Sequence, residues 1–485
     1  MSTPSLSRQV TIGTLSDKVL LNIFSHFLDD SPRHWPRLVH ICRRWRGIVF
    51  ASHRALHLRL FCIPGTPVSK TLDCWPTLPI VVQYGGYLAL DPPAPQDEGN
   101  VIAALKQSDR VSSISLTVTS SLLEKLSVIE EPFLELETLV LLSRDIVPLT
   151  LPSAFRWGSR LRCLRLTRIF PSLLQLYSSE NLVDLQLYEV LDPQYFFQVT
   201  DALSAMTRLQ SLSLHFLFAP DRALLPHVPS EKRVVLPALI RLNFRGVTKY
   251  LEDLVARIDA PHLGDIEIEV KFLKESIFDL SKLSEFIDRI KMHKSHRRAH
   301  ILLSERAFYI SLIRPGTPTC IKLRVICNRF SEQLYTMARI YIGLSTVLLN
   351  VEDLRISATR RSSWEDVTGH QWLMLINPFT GVKWFHIAEN LSTDIVHALH
   401  LPDNSVTPAL PALHKLYIPQ PGARHAPLSE AVVSFMTSRW LSGHHVVVDY
   451  ERPRRISELG AMYDQCWRHY SLTRSNRTSF STGDD

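Results

Sequence analysis

Apolar residues recur along this chain with two different periods. Between Leu15 and Leu60 the spacing is helical: Val19, Leu20, Ile23, Phe24, Phe27 and Leu28 fall at steps of four and eight. Ser16 is placed to cap that helix, with Asp17 in its first turn where the dipole favours a carboxylate. Asp29-Asp30-Ser31-Pro32 ends it, because proline cannot continue the hydrogen-bond ladder. A second helix then carries Trp35, Leu38, Cys42, Trp45 and Val49 as one stripe. The pattern predicts a helical hairpin with more apolar surface than about 40 residues can bury internally, so part of it awaits a partner.

After residue 100 the period changes. The unit apolar-x-x-apolar-x-apolar begins at Val111, Leu136, Leu161, Leu182, Leu209, Leu239 and Leu263, and again at Val351, Val382 and Leu413. Weaker fits at Ala299–Ile301 and Cys320–Val325 fall in the one long gap. A Leu-x-x-Leu-x-Leu unit returning every 20 to 30 residues is the signature of leucine-rich repeats. Each unit gives a short strand whose alternate side chains point inward, and it buries its apolar edge by stacking on neighbours. Residues 100–106, 195–206 and 391–399 read as returning helices. The expected fold is therefore α/β: an N-terminal helical hairpin, 12–60, then a connecting segment, 61–99, rich in proline turns. An irregular leucine-rich-repeat-like α/β solenoid follows over 100–450, and a C-terminal helix and flexible tail over 451–485.

Charge sharpens the picture at one place. The chain has 54 Lys and Arg against 47 Asp and Glu, a net +7. Within 12–60, eight basic residues (Lys18, Arg33, Arg37, Arg43, Arg44, Arg46, Arg54, Arg59) face three acidic ones (Asp17, Asp29, Asp30), so 8 minus 3 places +5 in the hairpin. Nucleic-acid binding asks for a broad basic face, and none is expected here. An acidic protein partner fits a local excess better. No stretch reaches the roughly 18 to 20 apolar residues of a membrane span, and no signal pattern is seen at Met1–Thr14, so no membrane is expected as a partner. Seven cysteines, an odd number with no Cys-x-x-Cys pair, point to free thiols. A cytoplasmic or nuclear location is the expectation.

The hairpin residues also carry a family resemblance. Leu15-Ser-Asp-Lys-Val-Leu-Leu-Asn-Ile-Phe24, followed by Val39-His-Ile-Cys-Arg-Arg-Trp-Arg46, resembles an F-box. Ser16 stands where that family usually has proline, and Leu56-His57-Leu58-Arg59 departs from its usual closing element. Beyond the hairpin the chain is similar to the large F-box families of mushroom-forming fungi. The matching segments are Leu78–Tyr84, Gln107–Val111, Lys294–Ala299, Val351–Leu354, Asn377–Thr380 and Arg439–His444. The resemblance implies a substrate-recognition subunit of a Skp–cullin–F-box ubiquitin ligase. It implies an adaptor surface, or its supporting core, at Leu15, Leu20, Ile23, Phe24, Val39, Cys42 and Trp45. A Skp adaptor and through it a cullin would be partners, along with an unknown substrate protein. The departures at Ser16 and at Leu56–Leu60 keep a second reading open, a repeat scaffold whose F-box no longer docks.

Strand alternation marks the substrate-contact candidates as the central outward residue of each repeat: Arg165, Gln186, Ser213, Asn243, Glu267, Arg355, His386 and Tyr417. Their mixed charge indicates no substrate class. A catalytic role is not expected, because the chain lacks a nucleophile elbow, a His-Glu-x-x-His pair and a dinucleotide fingerprint. Gly65–Thr71 lacks the second glycine of a phosphate loop, with Pro67 removing a donor. His293, His296 and His300 sit among Lys291, Lys294, Arg297 and Arg298, whose charge opposes a bound cation, so a solvated basic face is expected there. Neither a metal nor a cofactor is expected.

Overall fold

The computed structural model describes residues 12–30, 32–65, 68, 71–72, 75, 77–84, 93–153, 155–190, 193–216, 233–271, 280–290, 296–304, 307–314, 320–327, 330–359, 367–388, 391–400, 409–419 and 426–451. The chain is mixed α/β and divides into two compact units, Met1–Leu182 and Val183–Asp485. The helix and tail expected at the C-terminus lie, from Arg452 on, outside the described residues.

In the first unit, helix α1 spans Asp17–Asp30 and receives its expected cap, with Ser16 Oγ accepting from the Val19 amide at 3.4 Å. The second expected helix forms as two, α2 (Trp35–Val39) and α3 (Arg43–Ala51). The break has a local cause. Cys42 is extended (φ −158°, ψ 168°), and its Sγ accepts from the Trp45 amide at 3.5 Å as the N-cap of α3. Arg46 Nε then donates to the Val39 carbonyl, left open at the end of α2, at 3.0 Å. The single stripe foreseen from Trp35 to Val49 is thus shared between two helices.

These helices are anchored to the sheet that follows. Trp35, 2% exposed, donates its indole N–H to the Arg59 carbonyl at 2.7 Å and packs edge-on against Trp75 at 4.9 Å. Arg33 reaches Gln83 and lies over the Phe61 ring. The sheet of this unit has strands β1 (Leu60–Cys62), β2 (Ile80–Tyr84), β3 (Val111–Val118), β4 (Thr138–Ser143) and β5 (Cys163–Thr167), in that order and all parallel. Strand β4 shows the reason for the pattern: half-buried and buried residues alternate, with Leu139 and Leu141 fully inside. Helices α4 (Pro95–Leu105), α5 (Ser120–Leu126) and α6 (Leu173–Tyr177) connect the strands. Thr119 caps α5, and Ser172 with Gln175 forms a capping box on α6.

The second unit repeats the plan. Its strands are β6 (Asp184–Val190), β7 (Ser211–Phe216), β8 (Arg241–Val247), β9 (Asp265–Lys271), β10 (Arg298–Ser304), β11 (Ala307–Ile313), β12 (Cys320–Ile326), β13 (Asp353–Ala358), β14 (Trp384–Ile387), β15 (Lys415–Pro419) and β16 (Val447–Glu451). Its helices are α7 (Pro193–Ala202), α8 (Thr248–Arg257), α9 (Ser281–Arg289), α10 (Phe330–Gly343), α11 (Ser345–Leu348), α12 (Gly369–Ile376), α13 (Ser392–His400) and α14 (Ala426–Leu441). The three returning helices expected from sequence appear as α4, α7 and α13.

All ten clear copies of the apolar unit end in a strand, and nine of them begin with the same turn. The first-position amide donates to the carbonyl three residues back: Leu136 to Phe133, Leu161 to Gly158, Leu182 to Ser179, Leu209 to Met206, Leu239 to Leu236, Leu263 to Ala260, Val351 to Leu348, Val382 to Phe379 and Leu413 to Leu410. The next residue links neighbouring copies. The carbonyls of Val183, Gln210, Ile240, Glu352 and Lys383 each accept two consecutive amides from the adjacent copy, and within the first unit Glu137 does the same. One side chain and one hydrogen-bond station therefore recur together.

The long gap in the pattern is filled, but in reversed order. Both weak fits become strands, β10 and β12, yet β12 lies beside β9 and β10 beside β13. Between them runs β11, antiparallel to both and unforeseen. The order is β6-β7-β8-β9-β12-β11-β10-β13-β14-β15-β16. His296 and His300, expected on a solvated basic face, are instead buried, because β10 carries His300 into the sheet. His293, Lys291 and Lys294 lie outside the described residues.

Candidate functional site

Two surfaces merit attention, one in each unit. The first is built on α1. Its apolar residues come in adjacent pairs, about 100° apart on the helix, which is a wider arc than one packing partner covers. Leu20, Phe24 and Leu28 face inward, and Phe24 meets Trp45 with ring centroids 4.7 Å apart. The other member of each pair is left outside: Val19 is 43% exposed, Ile23 43% and Phe27 38%. They form a stripe at four-residue steps, roughly 12 Å long. Ile41, in the break between α2 and α3, is also exposed.

The helix that carries this stripe is fixed by Arg44. Its Nε and one terminal nitrogen donate to Asp17 Oδ1 at 3.0 and 2.6 Å, and it also reaches the carbonyls of Gly13 at 2.8 Å and Leu15 at 2.6 Å. Of the seven residues expected at an adaptor surface, Ile23 and Cys42 are exposed, Leu15 and Trp45 half-buried, and Leu20, Phe24 and Val39 fully buried. The last three are supporting core. Val19, Phe27 and Ile41 were not singled out, although the doubled apolar pairs on α1 already signal a second face.

The second surface is a polar row on the strands. The register places Gln186, Ser213, Asn243, Glu267, Lys322, Ser311, His300, Arg355, His386, Tyr417 and Asp449 side by side across the sheet of the second unit. All seven residues expected there from sequence fall in this one row. Arg165 occupies the matching row of the first unit, after Gln83, Ser115 and Val140. Six of the eight are half-buried, while Gln186 and Ser213 are buried. The neighbour two residues on explains Gln186, because the Tyr188 hydroxyl donates to Gln186 Oε1 at 2.6 Å. Tyr188 also packs edge-on against His215 at 4.4 Å.

Charges on this face are mostly paired across strands. Glu269, 2% exposed, lies between Arg245 at 2.8 Å and Arg324 at 2.9 Å. Toward the other edge, Asp353 meets Arg298 at 3.5 Å and His386 at 3.4 Å. His386 stacks on Tyr417 with centroids 4.1 Å apart and planes 4° off parallel, and Lys415 sits over that tyrosine while pairing with Asp449 at 2.8 Å. That pairing raises the Lys415 ammonium and lowers the Asp449 carboxyl. Burial pushes the Glu267 carboxyl up, against the pull of Lys322.

Two histidines on this face are held neutral. Burial lowers His215 to about 3, against a hydrogen bond from its ring to Asn243 at 3.2 Å and beside Arg245. Burial and the nearby Arg355 lower His300 to about 4, and its Nε2 pairs with the Ser357 hydroxyl at 2.9 Å. In the unfolded chain both rings take up a proton near 6.5, whereas the folded chain refuses it until much lower pH. Their contribution is therefore complete above pH 6.5 and is lost as pH falls toward 4, by about 1.4 kcal/mol per pH unit for each ring. His215→Gln with His300→Gln is expected to flatten the wild-type decline in urea midpoint between pH 6.5 and 4.5. The difference between the two curves isolates the rings, since the carboxylates titrate in both proteins.

Buried thiols complete the chemistry. Burial raises Cys62 to about 11 and Cys320 to about 12, the latter donating to Asp265 Oδ1 at 3.2 Å, so neither is a nucleophile near neutral pH. Cys42 is the exposed free thiol among the described residues. Among these residues no three His, Cys, Asp or Glu side chains group to hold a metal ion, and no helix is long and apolar enough to cross a membrane. No protein-family model matches the chain, and no curated protein matches it.

Proposed function

We propose that the chain is a substrate receptor of a Skp–cullin–F-box type ubiquitin ligase, with residues 12–60 as its F-box and the repeating strand–helix units as an irregular leucine-rich-repeat-like solenoid. The observation that carries this reading is the exposed Val19–Ile23–Phe27 stripe, set on a helix whose other side is fully packed. A folded helix keeps a second apolar face outside when another molecule covers it. The partner's chemistry follows from the +5 carried by 12–60, which favours an acidic adaptor and speeds encounter with it. The recurring turn and carbonyl station support the repeat reading of the remaining chain.

In this role the receptor does no bond chemistry. It holds a substrate protein on the strand row, through Asn243, Glu267, Arg355, His386 and Tyr417, and raises the local concentration of substrate lysines at the transfer site. A stable adaptor interface buries on the order of 1,600 Å². The stripe would be its apolar centre, and Cys42, an exposed thiol among the residues expected at the adaptor surface, would report on it.

The test is co-purification of the full chain with a purified Skp adaptor, with iodoacetamide labelling of Cys42 followed by mass spectrometry. Capture with Cys42 labelling slowed at least tenfold, while buried Cys62 stays unlabelled with or without adaptor, is the expected result. A folded chain that captures no adaptor would leave the alternative of a repeat scaffold with a relic F-box.

A further inference from the structure

One cation on the strand face of the second unit stands apart from its neighbours. Arg245 and Arg324 share Glu269, Arg298 meets Asp353 at 3.5 Å, and Lys415 meets Asp449 at 2.8 Å. Arg355, within β13, has no carboxylate and no hydrogen-bond partner among the described residues. Asp353, two residues back on the same face of that strand, is already engaged by Arg298 and His386. Arg355 is half-buried, and it lies beside His300, whose ring burial, and then this charge, keeps neutral. A guanidinium set on a folded surface with its donors unspent suits an anion, and its planar fork matches a carboxylate.

The neighbouring strand supplies an aromatic. The register pairs Arg355 with His386 and Asp353 with Trp384, so Trp384 lies diagonal to Arg355 across β13 and β14. Such a diagonal spans roughly 7 to 8 Å. Trp384 is 41% exposed and makes no ring contact or hydrogen bond among the described residues. Beside both, His386 and Tyr417 form a flat stacked pair. In an extended peptide, side chains two residues apart point to one face and stand about 6.6 Å from each other. A peptide laid over this face therefore brings one side chain to Arg355 and the next on that side to Trp384.

Local charge decides which anion fits. In these two rows the outward residues of β10, β13, β14, β15 and β16 include three cations, Arg298, Arg355 and Lys415, and two carboxylates, Asp353 and Asp449. Three less two is +1 with the histidines neutral, which a single carboxylate balances. A phosphate carries about −1.5 to −2 and would leave excess negative charge beside Asp353 and Asp449. We propose that Arg355 and Trp384 form a recognition pair for an extended peptide segment carrying a carboxylate and, two residues away, an aromatic side chain. This rests on the reading of the strand row as the substrate surface and names the class of segment that surface takes.

The experiment incubates the full-length chain with three biotinylated decapeptide libraries, each random except for a central aspartate, asparagine or phosphoserine, and sequences the retained peptides. Wild type is expected to retain the aspartate library at least fivefold more than the asparagine library, and more than the phosphoserine library. Phenylalanine, tyrosine or tryptophan should be enriched two positions from the aspartate. Arg355→Gln should abolish the preference for aspartate over asparagine. Trp384→Ala should keep that preference and lose the aromatic enrichment, with both variants folded by circular dichroism. Trp384 is exposed and Arg355 has no bonded partner to lose, so neither change takes a polar contact from the fold. Equal retention of the aspartate and asparagine libraries, or a preference that survives in Arg355→Gln, would overturn the proposal. Stronger retention of the phosphoserine library would overturn it too, in favour of a dianion. Adaptor capture on the same preparations separates this result from the ligase reading. A chain that selects the acidic peptides and captures no adaptor keeps this site and loses the ligase role, and the reverse result keeps the ligase role and loses this site.

Discussion

Ile23→Asp is expected to weaken capture of the full-length chain by a Skp adaptor at least a hundredfold while leaving its circular dichroism unchanged. The two halves of that result rest on one geometric fact. Ile23 is 43% exposed, so an aspartate there remains solvated in the free protein, and the fold has little to lose. In a docked complex the same carboxylate would be stripped of water in an apolar interface without a partner, which costs roughly 2 to 5 kcal/mol. A hundredfold is about 2.7 kcal/mol, near the low end of that range. Phe27→Asp, one turn along the same stripe, should act alike. Phe24→Asp cannot serve, because Phe24 is fully buried against Trp45 and the variant would report unfolding. Val128→Asp, also at an exposed apolar residue in the first unit, should leave capture intact. Undiminished capture by folded Ile23→Asp would remove the α1 stripe as the docking surface.

This choice of variant was only half legible in the sequence. The helical period announces α1 and its cap at Ser16, since both follow from local rules. Which member of each pair Val19–Leu20, Ile23–Phe24 and Phe27–Leu28 would be covered depends on where α3 lies. That position is set by Cys42 and Arg44, the latter through its contact with Asp17, 27 residues away in sequence. The break at His40–Cys42 was hidden for a related reason. A cysteine sulfur is a weak acceptor, and its use as an N-cap is not a pattern that composition advertises.

The strand row shows the opposite case. Seven of its members, Gln186, Ser213, Asn243, Glu267, Arg355, His386 and Tyr417, were identifiable from alternation alone, because repeating turns hold the register from one strand to the next. Register slips would move every side chain to the other face, so a recurring apolar pair constrains the residue between them as well. The limit came at the hairpin. Ala307–Ile313 is a nearly continuous apolar run without the repeat's spacing, and it reverses the chain so that β12 precedes β10 in space. Periodicity is blind to such an exchange, since both outer strands satisfy the same pattern. Burial of the polar side chains was also beyond local reading: His215, Glu269 and His300 are enclosed by neighbours supplied from adjacent strands.

That enclosure has its largest consequence at Glu269. The carboxylate is 2% exposed and is the shared partner of Arg245 and Arg324, two guanidinium groups brought together by the register β8-β9-β12. Glu269→Ala removes the carboxylate that both guanidinium groups share and so breaks two partly buried ion pairs at once. Breaking a buried pair from one side costs about 3 to 5 kcal/mol. The arginine side chains are 17% and 26% exposed, so solvent offsets part of that cost and the expected loss lies near 3 kcal/mol. Replacing all three groups together, with Glu269→Leu, Arg245→Met and Arg324→Met, should return most of that loss, because no charge is then buried. Urea unfolding of the three proteins checks both expectations. If Glu269→Ala lost less than 1 kcal/mol, the pairs would be surface-like, and the strand row would owe its order to packing alone. If the triple variant stayed as unstable as Glu269→Ala, the cost would lie in lost packing of the side chains. The expected pattern, a large single loss with recovery in the triple, identifies a group of charges that is costly to break from one side and yet adds little net stability as a whole.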